Sequence, residues 1–187
     1  MRHRSIRLLI SCLLVVPGGA AIPAQSASAA PPPGLAGVVA ARTMFVTMLR
    51  NQASPTWCLD QHYNAANVPT VTVYVWNVCH GADNQAWLLT PLSDLSWKIS
   101  NAQSGYCLDQ HFENNNTIAT HTVYAWDVCH GAANQRWWIE PYMDGSIVIV
   151  NKLSLWCLDQ HHTNGNSGPT IQLYAWQCHR QPIQHWT

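Results

Sequence analysis

Charge is what this sequence has least of. Asp, Glu, Lys and Arg together make up 10% of the 187 residues, and the nine basic side chains balance the nine acidic ones. With no basic stripe and no acidic run, neither nucleic acid nor an anionic membrane surface is an expected partner. Sustained helical periodicity is also missing, which excludes a helical bundle. Past the first 30 residues or so, no apolar run reaches the roughly 20 residues needed to cross a bilayer as a helix, so no membrane insertion is expected. No Cys-x-x-Cys spacing and no nucleophile–base pair at an informative distance occurs. A glycosidase needs two carboxylates placed across one bond, and the carboxylates here are few. The expectation is therefore a protein that is not an enzyme, with no cofactor and no metal. The chain does have ten tryptophans. A composition poor in charge and rich in aromatics supports a packed core rather than disorder.

Those aromatics belong to a repeat. Cys-Leu-Asp-Gln-His occurs at Cys58–His62, Cys107–His111 and Cys157–His161, in steps of 49 and 50 residues. Each copy continues into an aromatic run ending in Cys-His. These runs are Val73–His80, Val123–His130 and Leu173–His179. Each copy then closes on Gln-x-Trp, at Gln85–Trp87, Gln135–Trp137 and Gln184–Trp186. A fixed period of this kind marks one supersecondary unit used three times. Its β-branched and aromatic runs alternate with Asn, Gly, Ser and Pro clusters such as Asn64–Pro69, Asn114–Thr117 and Asn164–Pro169, which predicts about four short strands per copy. A unit of about 50 residues cannot bury its own apolar face, whereas three together can. The fold expected is all-β, a closed three-lobed barrel.

The N-terminus reads as an export signal over residues 1–29. Arg2, Arg4 and Arg7 precede a short apolar run from Leu8 to Val16, and Ala27-Ser28-Ala29 supplies small residues for cleavage. Removing it leaves six Lys and Arg against nine Asp and Glu, a slightly acidic mature chain. Residues 30–43, opening Pro31-Pro32-Pro33-Gly34, read as a tether. The repeats fill residues 44–187, divided at about 44–92, 93–142 and 143–187. Cys12 leaves with the signal, and each copy keeps two cysteines: Cys58 and Cys79, Cys107 and Cys129, Cys157 and Cys178. Export and repeat symmetry favour a disulfide within each copy, each contributing roughly 3 kcal/mol. Zinc is the competing reading, because a histidine follows every second cysteine.

Strand alternation sorts the aromatic runs into two faces. Val71, Val73, Val75, Val123, Ala125, Ile171, Leu173 and Ala175 form a small aliphatic face and are expected in the core. Tyr74 and Trp76, Tyr124 and Trp126, and Tyr174 and Trp176 fall on the other face, with Asp60, Asp109 and Asp159 of the Cys-Leu-Asp strand. An aromatic plane, a carboxylate and a carboxamide suit a sugar: the ring packs on its C–H face, the carboxylate accepts from hydroxyls, and the carboxamide does both. Asn84 and Asn134, just before Gln-x-Trp, supply the carboxamide. Trp87, Trp137 and Trp186 are expected to be core. His62, His111 and His161 are expected on the surface, and His80, His130 and His179 in turns.

These motifs, over roughly residues 44–187, resemble those of the ricin-B-type (R-type) lectins, also called carbohydrate-binding module family 13. The resemblance implies a β-trefoil of three repeats, disulfides within each repeat, and a secreted sugar-binding protein. Its ligands would be the Cys-Leu-Asp aspartate, the aromatic near the second cysteine and the Asn before Gln-x-Trp. The glycans implied are of galactose, N-acetylgalactosamine, xylan or arabinan type; action alone and action with a separate enzyme or toxin chain both stay open. This chain departs from the pattern in two ways. Copies one and two carry an extra residue between Trp and Cys, so Tyr74 and Tyr124 compete with Trp76 and Trp126 for the stacking role. Copy three has Ile183 in place of the Asn and Arg180 in place of the glycine found at Gly81 and Gly131, which implies a weakened third site at Asp159 and Trp176. The alternative reading is a trefoil that has lost sugar binding and serves as a protein-interaction or inhibitor scaffold.

Overall fold

The computed structural model describes residues 42–163 and 168–187. The export signal, the tether up to residue 41 and residues 164–167 of the third loop cluster lie outside the described residues. Among the described residues thirteen strands form one sheet: β1 Phe45–Met48, β2 Arg50–Asn51, β3 Ser54–Tyr63, β4 Pro69–Trp76, β5 Ala86–Pro91, β6 Trp97–Asn101, β7 Cys107–Glu113, β8 Ile118–Trp126, β9 Arg136–Pro141, β10 Ile147–Asn151, β11 Cys157–Thr163, β12 Gly168–Trp176 and β13 His185–Trp186. Four per copy would give twelve. The extra strand arises because the first copy's opening run changes partners at Leu49: β1 pairs with β5, and β2 turns to β13 and β3.

The pairings close on themselves. β1 joins β5, β5 joins β6, β6 joins β9, β9 joins β10, β10 joins β13, and β13 returns to β2. Closure leaves this ring no free edge. Three hairpins, β3–β4, β7–β8 and β11–β12, carry the repeated motifs and meet where β8 bridges to β4 and β12 through Thr72↔Tyr124 and Thr122↔Tyr174.

Side chains from all three copies fill the interior. Leu59, Leu108 and Leu158 of Cys-Leu-Asp are fully buried, as are Val75, Ala125 and Ala175 opposite them. Two aliphatic residues expected in the core are not there: Val71 is 46% and Ile171 50% exposed. The hairpin register explains the difference. Pairing runs to Gln61↔Val73 and Gln160↔Leu173, slips, and resumes at Tyr63↔Pro69 and His162↔Pro169, so the alternation does not carry through to residues 71 and 171.

Trp87, Trp137 and Trp186 are fully buried. Each indole N–H donates to the carbonyl of its own copy's Leu, at 3.0 Å to Leu59, 3.0 Å to Leu108 and 3.1 Å to Leu158. The last strand of each copy is thus pinned to its Cys-Leu-Asp strand by apolar burial and by a hydrogen bond that a dry core cannot replace. Trp137→Phe keeps most of the ring but orphans the Leu108 carbonyl, and should lower the unfolding free energy by about 1–3 kcal/mol in urea titrations. Trp137→Ala adds a cavity and should cost about 3–5 kcal/mol.

Candidate functional site

In each hairpin the Cys-Leu-Asp strand lies in fixed register with the aromatic strand. Cys58 opposes Trp76 and Asp60 opposes Tyr74. The same holds for Cys107 with Trp126 and Asp109 with Tyr124, and for Cys157 with Trp176 and Asp159 with Tyr174. Directly opposed residues share a face, so aspartate, tyrosine and tryptophan lie side by side, away from the buried leucine. Disulfides Cys58–Cys79, Cys107–Cys129 and Cys157–Cys178 tie the turn after each tryptophan to the same strand. The cysteines are thereby spent, and among the described residues no group of three His, Cys, Asp or Glu is placed to hold a metal ion.

Past the turn the chain makes one 3-10 turn, Asp83–Gln85, Ala133–Gln135 or Pro182–Gln184, which returns Asn and Gln to the aspartate. Asn84 Nδ2 donates to Asp60 Oδ1 at 2.9 Å, and Asn134 Nδ2 to Asp109 Oδ1 at 2.8 Å. Gln85 Nε2 donates to Asp60 Oδ2 and to the Val78 carbonyl, both at 2.9 Å, while its Oε1 accepts the His80 N–H at 2.9 Å. Gln184 repeats this with Asp159 Oδ2 (2.8 Å), the Gln177 carbonyl (3.0 Å) and the His179 N–H (2.9 Å). The glutamine of Gln-x-Trp is therefore the clasp of the site, a role its presence in every copy signalled but its sequence neighbours did not.

The turn histidines belong to the site as well. His80, His130 and His179 place Nε2 at 3.4, 3.5 and 3.3 Å from Oδ2 of Asp60, Asp109 and Asp159. Their Nδ1 atoms accept the N–H of Ala82, Ala132 and Gln181, which puts the proton on Nε2, facing the carboxylate. The left-handed turn that brings them there has φ of 76° at Gly81 and 67° at Gly131. Arg180 takes the same conformation with φ 55° at a steric cost, held by its N–H on Gln184 Oε1 and its guanidinium on Glu140. His62, His111 and His161 sit beside the site tyrosines, with ring centroids 6.1, 5.7 and 5.3 Å away.

Burial raises the pKa of all three aspartates, and their neighbours oppose it. For Asp60 the opposition comes from Gln85, His80 and Asn84, and for Asp109 from Gln135, His130 and Asn134. Asp159 has Gln184 alone and is pushed up to about 7. Burial lowers the pKa of His179, so that ring offers it less positive charge. Tyr74 and Tyr124 are pushed up to about 12, first by burial and then by the charge and hydrogen bond of their aspartates. Both remain hydroxyl donors. In copy three the Tyr174 hydroxyl instead donates to Gln172 Oε1 at 3.0 Å. Trp76, Trp126 and Trp176 stay 41%, 40% and 45% exposed beside these polar groups, a large apolar plane that water does not favour.

The chain belongs to the ricin-type beta-trefoil lectin domain family, whose model matches residues 45–186. No curated protein matches the sequence. Among solved structures it is similar to the designed threefold-symmetric protein ThreeFoil, with 25% identity, a TM-score of 0.62, and coverage of 75% of this chain and 95% of that one. It is also similar to the Macrolepiota procera ricin B-like lectin in complex with lactose, at 18% identity and a TM-score of 0.58, covering 76% and 93%. A mosquitocidal holotoxin matches at 21% identity and a TM-score of 0.62 over 77% of this chain but only 16% of its own.

Asp159 makes stability depend on pH. Its folded pKa of about 7 lies above the unfolded 3.8, so between these values the folded state binds more protons and stability falls as pH rises. Denaturant midpoints measured from pH 4 to pH 8 should show a decline that Asp159→Asn makes shallower, the remainder coming from Asp60 and Asp109, whose pKa values burial also raises. Equal profiles for the two proteins would contradict the shift.

Proposed function

We propose that this is a secreted, non-catalytic lectin that binds glycans through copies one and two. Asp60 and Asp109 accept from neighbouring sugar hydroxyls, and Asn84 and Asn134 orient those carboxylates and complete the polar rim. Trp76 and Trp126 stack on the C–H face, while Tyr74 and Tyr124 direct their hydroxyls to the aspartates. The observation that carries this reading is the coincidence, on one hairpin face, of an aspartate clasped by Asn and Gln with a tryptophan left two-fifths exposed. A fixed carboxylate and a fixed ring lose little entropy when a sugar docks. Tryptophan fits the stacking role better than tyrosine because Tyr74 and Tyr124 are partly buried and engaged with the carboxylates.

The sugar class is taken from the resemblance to the ricin-B-type lectins, and it suits this pairing of a hydroxyl acceptor with an apolar plane. Galactose-, N-acetylgalactosamine-, xylan- or arabinan-type units present both. Copy three, lacking the Asn, binds the ligand of the other two more weakly. Residues 1–29 serve as the export signal and 30–43 as a tether, in keeping with three disulfides that suit an oxidising exterior. Shallow sites repeated around one domain gain avidity on a polysaccharide or cell surface through effective concentration. The repeated placement of the polar groups also argues against glycoside hydrolysis, which needs a pair of carboxylates placed across one bond.

Titration calorimetry of residues 44–187 with galactose, lactose, N-acetylgalactosamine and xylo-oligosaccharides tests the proposal. Trp76→Ala and Trp126→Ala remove exposed rings and should leave the fold intact while abolishing one site each. Asp60→Ala and Asp109→Ala should do the same with some loss of stability. Folded protein that gives no heat with any glycan would refute the reading and favour an interaction scaffold.

A further inference from the structure

The third copy differs from the other two at one wall of the site. Residue 183 occupies the same backbone position as Asn84 and Asn134: its carbonyl accepts from Asn51 Nδ2 at 2.8 Å, as theirs accept from Asn101 Nδ2 at 2.9 Å and Asn151 Nδ2 at 2.8 Å. It also stands in the same 3-10 turn, directly before the clasping glutamine. The change is thus confined to the side chain. Where copies one and two aim a carboxamide at the aspartate, copy three presents the hydrocarbon of Ile183 to a cavity of about 270 Å³, which Asp159, His161, Tyr174, Trp176 and His179 also line.

Other features of copy three show a built site rather than a decayed one. Asp159 keeps its glutamine clasp and its histidine. Trp176 is held more firmly than a lone surface ring, because His121 of copy two stacks on it with centroids 4.3 Å apart and on Trp156 at 4.8 Å. The His121 ring is itself fixed by donating Nδ1–H to the Ala175 carbonyl at 3.1 Å. The Tyr174 hydroxyl has turned to Gln172, so the polar rim facing the cavity is smaller than in the other copies. A sugar hydroxyl pressed against Ile183 would lose its water and gain no partner, whereas a methyl there would exchange water for hydrocarbon.

We infer that the third site selects sugars that present a methyl group, the acetyl methyl of a 2-acetamido sugar or the C6 methyl of a 6-deoxy sugar, and that Ile183 determines this choice. The inference rests on the proposed reading of copies one and two as sugar sites. It makes the domain heterovalent, with two sites of one preference and a third of another.

The test follows the indole N–H signals of Trp76, Trp126 and Trp176 by two-dimensional NMR of residues 44–187. The probes are galactose and glucose, each beside its 2-acetamido and its 6-deoxy derivative; the two derivatives separate the two sources of the methyl. Trp176 should respond to a methyl-bearing sugar at a concentration about tenfold lower than to its parent, with no such gap at Trp76 and Trp126. Ile183→Asn should close that gap and make Trp176 follow the other two, while Ile183→Val should keep it. If Trp76 and Trp126 respond and Trp176 either stays silent or tracks them in the unaltered protein, the inference is overturned and the lectin reading stands. If no tryptophan responds to any probe, the inference falls, and the lectin reading falls with it only when the xylo-oligosaccharide titrations are silent too.

Discussion

The arrangement depends on one buried carboxamide per copy. The glutamine of Gln-x-Trp is fully shielded from water, so each of its hydrogen-bonding atoms must find a partner in the protein. It does so by bridging the turn after the tryptophan and the Cys-Leu-Asp strand. Two residues later the indole of the same motif donates to the leucine of that strand. A single short motif at the end of a copy therefore fixes the strand at its beginning, and the disulfide repeats the connection covalently. The aspartate is held in place because it is one of the partners the glutamine requires, and the function proposed for it draws on a group the fold already needed to immobilise.

Much of this was legible in the sequence. A fixed period, paired cysteines and strand alternation are local signals, and they placed Asp60 beside Trp76 and the closing tryptophans in the core. The features that were not legible depend on chain reversals. His80, His130 and His179 look like turn residues until the 3-10 turn and the left-handed glycine or arginine fold them back onto the aspartate. Val71 and Ile171 look like core until the register slip in their hairpins removes them from the alternation. The stack of His121 on Trp156 and Trp176 joins two copies, and no pattern within one repeat could have indicated it.

The departures from symmetry carry as much information as the symmetry. Arg180 adopts a backbone conformation that glycine takes freely, and the structure anchors it at both its N–H and its guanidinium. Burial pushes the pKa of Asp159 up to about 7, and Ile183 supplies no side-chain donor to oppose it as Asn84 and Asn134 do at their aspartates. Both changes fall in the copy whose tryptophan is backed by a histidine from its neighbour. A domain assembled from three near-equal units thus keeps its scaffold constant while the chemistry of one wall varies, in line with the general rule that function resides in local sites more than in architecture.

The central claim is that the hairpin face carrying Asp60 and Trp76 is where a glycan docks. A crystal structure of residues 44–187 grown with the best-binding oligosaccharide tests it most directly. The account predicts a sugar ring lying parallel to the Trp76 indole with two hydroxyls on the Asp60 carboxylate, and the same arrangement at Trp126 and Asp109. Sugar bound elsewhere on the domain, with both of these faces empty, would contradict it.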